Sequence, residues 1–269
     1  MADWKRSAIG DLPIHQAATL SWLPGVVQGF TTRRGGSSKP PYDTLNLGSH
    51  VGDIPAFVQD NRQRLWADLG LAEHQIALAE QTHGSTVALV TEGSAMPIPG
   101  TDALITSTRD VLLMMLYADC VPIYLIDPNA RAIGLAHSGW RGTAANIAAR
   151  TMTAMTEQFG SQPSACLAAV GPCIGGDSYE VGRDVAGVFR NMPDLRGGVA
   201  VSPKSEISGT YTLNLRQVVF SQLLGAGLRA DAIAVSAEDT FRNKRDFFSY
   251  RREGAQTGRM AAFLGIRSS

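Results

Sequence analysis

The sequence predicts a layered α+β protein, and three observations carry that expectation. Strand-type runs outnumber helical ones along the 269 residues, several of them are apolar from end to end, and the two kinds do not alternate regularly. Continuous apolar runs suit strands covered on both faces, whereas a strand with one wet face would alternate apolar and polar. Regular strand–helix alternation would have pointed to a doubly wound sheet, and the nucleotide motifs of such sheets are also missing: no G-x-G-x-x-G follows a strand and no G-x-x-x-x-G-K-[ST] occurs. One domain over residues 1–269 is the leading organisation at this length.

Taken in order, strands are expected at 26–32, 85–91, 102–107, 111–117, 121–127, 131–138, 166–171 and 232–239. The runs 121–127 and 131–138 read as a hairpin around Pro128-Asn129, and 171–182 reads as a strand-turn-strand holding a structural Cys173. Helical spacing of apolar residues appears over 55–71, 143–160, 182–192 and 213–228, with Gly160 and Gly225 where C-terminal caps belong. Two loops rich in Gly, Pro and Ser, 33–43 and 92–102, are long enough to shape a site.

Hydrophobic residues make up 44% and charged ones 18%, and Lys+Arg 24 balances Asp+Glu 24, which argues against disorder and against a nucleic-acid or membrane-surface partner. The N-terminus lacks an apolar signal core, and the longest apolar stretch, 111–126, is short and broken by Asp119, so a cytoplasmic protein is expected. Three cysteines without a C-x-x-C fit neither a disulfide framework nor a zinc knuckle, leaving thiol chemistry or metal ligation.

Three strand-type runs end near such a side chain: His83 in EQTHGSTV, Cys120 in LYADCVPI and His137 in GLAHSGWRG. Singly, each reads as readily as a satisfied core or surface residue. Together they make three soft or borderline ligands beside turn-forming residues, the number that catalytic zinc uses while its fourth position stays open. Zinc is the expected ion, with copper able to take the same set; without metal, Cys120 and His137 could pair as nucleophile and base. Gly139 and Gly142 open a helix beside Arg141, a pattern that suits an anion site and equally a glycine turn with a surface arginine. Arg33, Asn46 and Asp53 gather among glycines, as a substrate-binding loop or a solvated one would. Asp119 is a candidate general acid or base if the strand breaks before Pro122, because adjacent strand residues otherwise face opposite ways.

At GFTTRRGGSS, LNLGSHVGD, NRQRL, EQTHGSTV, DALIT, ADCVPI, GLAHSGWRGT, GPCIGGDSYEVG and FFSYRREGAQTGRMAAF the chain resembles the YfiH family, over nearly its whole length. That family has been labelled laccase-like or multicopper polyphenol oxidase and is also described as purine nucleoside phosphorylases. The resemblance implies a layered α/β/β/α fold with mixed sheets, comparable to cysteine-hydrolase-like domains, and a zinc site of His83, Cys120 and His137. It implies phosphorolysis of adenosine, inosine and methylthioadenosine, and deamination of adenosine, with a nucleoside and phosphate as small-molecule partners. Arg33 and Arg141 are the candidate phosphate anchors, and Asn46 a candidate substrate contact. Some members are described as peptidoglycan editing factors, amidases acting on UDP-MurNAc-L-Ser. One departure is local: where the family commonly has Cys-Thr before FFSYRR, this chain has Asp239-Thr240. Laccase chemistry needs a blue-copper site and a trinuclear cluster, roughly ten histidines in all; the chain has five.

Overall fold

The computed structural model describes residues 4–92, 94, 96–190, 192, 200–205 and 209–268. The first half contains β1 (Trp4–Ile9), β2 (Leu12–Ala17), β3 (Val26–Thr31), α1 (Pro55–Leu69), β4 (Ile76–Leu78), β5 (Val87–Leu89), β6 (Ala103–Thr106), β7 (Leu112–Tyr117) and β8 (Val121–Asp127). Then follow β9 (Ala132–Ser138), α2 (Trp140–Ala144), α3 (Ile147–Phe159), β10 (Leu167–Val170), β11 (Glu180–Val181), α4 (Arg183–Arg190), β12 (Val201–Ser205) and β13 (Thr210–Leu213). The chain closes with α5 (Leu215–Gly225), β14 (Ile233–Val235), α6 (Tyr250–Glu253) and β15 (Met260–Ile266).

Two mixed six-stranded sheets face each other, ordered β1-β2-β3-β15-β7-β4 and β14-β10-β8-β9-β6-β5, and β11-β13-β12 form a small third sheet. The period of two along each strand sorts the core into layers. On β7, Leu113, Met115 and Tyr117 point between the sheets, where they meet Tyr124, Ile126, Ile133 and Leu135 of the second sheet. Leu112 and Met114 point the other way, with Leu65, Trp66 and Leu69 of α1. On β8, Val121, Ile123 and Leu125 turn outward to Met152, Met155, Val218 and Leu223 of α3 and α5. The result is the α/β/β/α layering, and it explains why β7, β8, β9 and β15 read as unbroken apolar runs: both faces are covered.

Some elements differ from the sequence expectation. The helix expected over 143–160 is two: Asn146 sits in the left-handed region (φ 58°) and its side chain accepts from Ala149 N at 3.4 Å, capping α3 after α2 has ended. Such a break is open to Asn because its short amide tolerates that conformation and replaces a backbone partner. Gly160 caps α3 in the left-handed form as expected, but α5 ends without one at Gly225, and Gly227 takes the positive φ instead. Segment 171–182 is mostly turn, with only Glu180–Val181 in a strand; Cys173 is buried and makes a single bridge to Asp239.

Candidate metal centre

The β8–β9 hairpin forms as expected, with Val121 opposite Ser138 and Pro122 opposite His137. Cys120, in the turn entering β8, and His137, near the end of β9, therefore sit at one edge of the second sheet. His83 arrives from the loop between β4 and β5, in a left-handed conformation (φ 61°) uncommon for a residue with a Cβ. The ligand-capable atoms of the three side chains lie within 4.8 Å of one another, and the two imidazoles meet edge to face, their centres 4.9 Å apart at 86°. Gly139 makes room for this meeting: a Cβ there would stand 3.1 Å from His83 Cδ2 and 3.2 Å from Cys120 Sγ. His137 is buried, Cys120 half-buried and His83 exposed, so the cluster opens to solvent on the His83 side.

One residue that the sequence reading did not single out organises the cluster. Asp102, fully buried at the start of β6, pairs its Oδ1 with His137 Nδ1 at 2.9 Å. The same carboxylate accepts backbone N–H bonds from Thr82, His83 and Gly84, and the Thr82 hydroxyl. It thus holds the strained His83 turn and fixes His137 with its proton on Nδ1, leaving Nε2 to face the cluster. Burial alone would raise the Asp102 carboxyl, but the hydrogen bond and charge of His137 and the backbone donors outweigh it and hold the group at about 2. Burial likewise pushes the Cys120 thiol up, and the charge of His137 with contacts to both imidazoles brings it down to about 6. His137 moves the opposite way, to about 9, because Cys120 and Asp102 overcome the burial that would lower it. Both shifts favour a thiolate on Cys120 and an imidazolium on His137 when no metal is bound.

The other expected site residues fall into different places. Asp119 has φ 92°, so the strand does break there, and its carboxylate turns into the protein: Oδ1 accepts from Thr240 Oγ1 at 2.6 Å, Oδ2 from Ser249 Oγ at 2.9 Å and Arg251 N at 2.7 Å. It clamps α6 and the 240 loop under the centre. Asn46 is fully buried and spends its amide on Gly48, Asp53 and the backbone N–H of Arg259, so it shapes the loop and has no surface for a ligand. Arg33 bonds the Asp43 carbonyl and Glu253, stacks over Phe248 at 4.4 Å, and lines a basic surface cleft of about 400 Å³ with Arg34, Lys244 and Arg245, to which none of the three cluster residues contributes. Arg141 lies in the five-residue α2 with its guanidinium 4.4 Å over the Trp140 ring, exposed. Its charge acts on Tyr179, whose hydroxyl burial and the nearby Cys120 push up to about 12.

The donor set suits one metal ion. Tetrahedral zinc with bonds of about 2.0–2.3 Å needs ligand atoms about 3.4–3.6 Å apart, which a cluster within 4.8 Å reaches by small side-chain rotations. Two imidazoles, one thiol already inclined to ionise and an oriented Nε2 meet the chemical requirements, and among the described residues no fourth side chain closes the group. No described helix is long and apolar enough to cross a membrane.

Residues 27–267 match the family model described as multi-copper polyphenol oxidoreductase laccase. The chain is 41% identical to a purine nucleoside phosphorylase of Deinococcus radiodurans, over 95% of this chain and 93% of the relative. It is 39% identical to the purine nucleoside phosphorylase YlmD of Geobacillus stearothermophilus, over 94% and 97%. The crystal structure of a Bacillus licheniformis hypothetical protein, YfiH, superposes with TM-score 0.91 at 34% identity, covering 97% of this chain and 98% of that one.

Proposed function

The chain belongs to the multi-copper polyphenol oxidoreductase laccase family, and from that membership and the centre's geometry we propose that it is a zinc-dependent purine nucleoside phosphorylase of the cytoplasm, acting as one domain. The observation that carries the reading is the open three-ligand cluster of His83, Cys120 and His137, held by Asp102, in a chain so similar to proteins named for that activity. Its substrates are adenosine, inosine and methylthioadenosine, cleaved with phosphate to the free base and a ribose 1-phosphate, and adenosine is also deaminated to inosine. When bound, zinc supplies the Lewis acidity that makes an oxygen nucleophilic at neutral pH. The protein's own part is positional. Asp102 keeps the His137 proton on Nδ1, Gly139 lets both other ligands approach, and Asp119 anchors α6 beside them.

Oxidase chemistry, which the family description names, finds no second ligand cluster among the described residues. The remaining histidines are dispersed: His15 is buried against Phe247, His50 lies near Arg259 and Arg62, and His74 is on a surface turn. A trinuclear copper site has nothing to assemble from. A second reading has an observation in its favour: the thiolate and imidazolium of Cys120 and His137 are the pair an amidase nucleophile needs, as the editing of UDP-MurNAc-L-Ser would require. Incubating the protein with adenosine, with and without phosphate, and separately with UDP-MurNAc-L-Ser, decides between them by mass spectrometry. Phosphate-dependent release of adenine supports the phosphorylase; serine release with no adenine replaces it by the amidase.

A further inference from the structure

Among the described residues, Arg62 and Arg259 have no carboxylate within ion-pair distance, unlike Arg33, Arg252 and Arg6, each of which is paired with one. Arg259 immediately precedes β15, whose Met260 pairs with Tyr117 of β7. Carried one step further, that antiparallel register sets Arg259 level with Ala118, at the turn that presents Asp119 and Cys120. The Tyr117 ring in turn lies 5.3 Å from the His137 ring. The loop 46–50 is docked on Arg259: Leu47 N bonds its carbonyl at 3.1 Å, Asn46 Oδ1 accepts its N–H at 2.9 Å, and a Cβ at Gly48 would strike its side chain at 2.7 Å. From the other side, Arg62 of α1 reaches the same loop, donating through Nε to Leu47 O at 2.9 Å.

These contacts use only part of each guanidinium. Arg259 spends Nη1 on the carbonyls of Thr257 and Gly258, which leaves Nε and Nη2; Arg62 keeps both terminal nitrogens. None of these has an acceptor among the described residues, and none is a buried unpaired atom, so they reach solvent. Glu73 acts on Arg62 only from beyond ion-pair distance. His50, exposed at the end of the docked loop, feels both cations: burial first, then the charges of Arg259 and Arg62, hold its imidazole below its ordinary value and so neutral, with an N–H to give. Two forked cations and a neutral N–H donor with no protein acceptor match a tetrahedral oxyanion.

We propose that Arg62, Arg259 and His50 form the pocket that anchors inorganic phosphate beside the His83–Cys120–His137 cluster. This rests on the phosphorolytic reading and gives it an anchor apart from Arg33, which is committed to Glu253 and the Asp43 carbonyl, and Arg141, which lies stacked on the Trp140 ring. In the reaction a phosphate oxygen forms the new bond to C1′ of the ribose as the C1′–N9 bond breaks, and its electron pair leaves with the purine, which takes up a proton. The arginines hold the attacking dianion and spread its charge.

Calorimetric titration of the metal-loaded protein with inorganic phosphate, and in parallel with adenosine 5′-monophosphate, tests this without turnover. Losing the charged hydrogen bonds of one arginine weakens binding roughly ten- to a hundredfold. Arg62→Gln is therefore expected to raise both the phosphate Kd and its KM by that factor, with nucleoside KM and metal content unchanged and the melting temperature lowered only as far as the lost bond to Leu47 O requires. Arg62 also holds Leu47 and Arg259 its own turn, so the exposed His50→Asn, which has no such bond to lose, is the companion variant, with a smaller rise of the same kind. Unaltered phosphate Kd and KM in both variants, or binding of the nucleotide with none of free phosphate, overturns the pocket. Phosphate binding lost in the variants, with a wild type that cleaves no nucleoside, would leave the pocket standing and remove the phosphorylase reading.

Discussion

Replacing Asp102 with Asn keeps the shape of the residue that ties the centre together and removes its charge. The carboxylate accepts five hydrogen bonds, from His137 Nδ1, three backbone N–H groups and the Thr82 hydroxyl. An amide NH2 on the Oδ2 side would face the N–H groups of Thr82 and Gly84, leaving two buried donors unpaired at about 1–3 kcal/mol each. On the Oδ1 side it would leave the buried His83 N–H unpaired, and His137 could keep its bond only by moving its proton to Nε2, the nitrogen a metal needs bare. Either way the ligand set suffers, and loss of such an orienting carboxylate weakens metal binding about 10- to 100-fold, or 1.4–2.7 kcal/mol. Competition with a chromophoric chelator measures that affinity directly. Acid denaturation gives an independent reading. A carboxyl held at about 2, below its ordinary 3.8, contributes stability that is complete above about pH 4 and is lost as pH falls through 2; the contribution is on the order of 2 kcal/mol. Metal-free Asp102→Asn should lose this acid-sensitive increment. Wild-type zinc affinity together with a wild-type acid profile in the variant would refute the role given to Asp102.

Three further outcomes follow from the same geometry. Gly139→Ala places a Cβ 3.1–3.2 Å from His83 and Cys120; the overpacking costs about 1–3 kcal/mol, and metal content should fall while circular dichroism stays native. Asp119→Asn should keep most activity, because its NH2 can take the Oδ1 place, where the Thr240 hydroxyl can turn to accept, while its oxygen keeps the bonds from Ser249 and Arg251 N, whereas a lost general acid or base would cost about 10²–10⁴-fold; kcat separates the two. In metal-free protein near neutral pH, iodoacetamide should label Cys120, whose thiol is lowered to about 6, and spare buried Cys166, raised to about 12. Added zinc should protect Cys120, and peptide mass mapping reads both results.

The meeting of His83, Cys120 and His137 was legible because each closes or borders an apolar run beside turn residues, and the hairpin that joins Cys120 to His137 is encoded by two adjacent runs with a Pro-Asn turn between them. Layering was legible for a related reason: only strands covered on both faces can be apolar throughout. Asp102 escaped notice because its sole sequence signal is one acid opening the run ALIT, and its partners, at 82–84 and 137, meet it only after β5, β6 and β9 pair. Arg62 and Arg259 lie nearly two hundred residues apart and are joined through the backbone C=O and N–H of Leu47, groups that leave no trace in side-chain pattern. Asn46 and Arg33 show a structural role that the pattern did not disclose. Polar residues among glycines suggest a binding loop, yet these two spend their hydrogen bonds on building one. The split of α2 from α3 turned on a single left-handed Asn146 in an otherwise helical pattern.

The central claim is that His83, Cys120 and His137 hold the zinc on which purine nucleoside cleavage depends. Elemental analysis of wild type and Cys120→Ala, paired with phosphate-dependent adenine release before chelation, after it and after zinc is restored, tests this most directly. About one zinc per wild-type chain is expected, with none in the variant, and an activity that disappears with the metal and returns with it. Full activity in chelator, or several copper ions per chain, would contradict it.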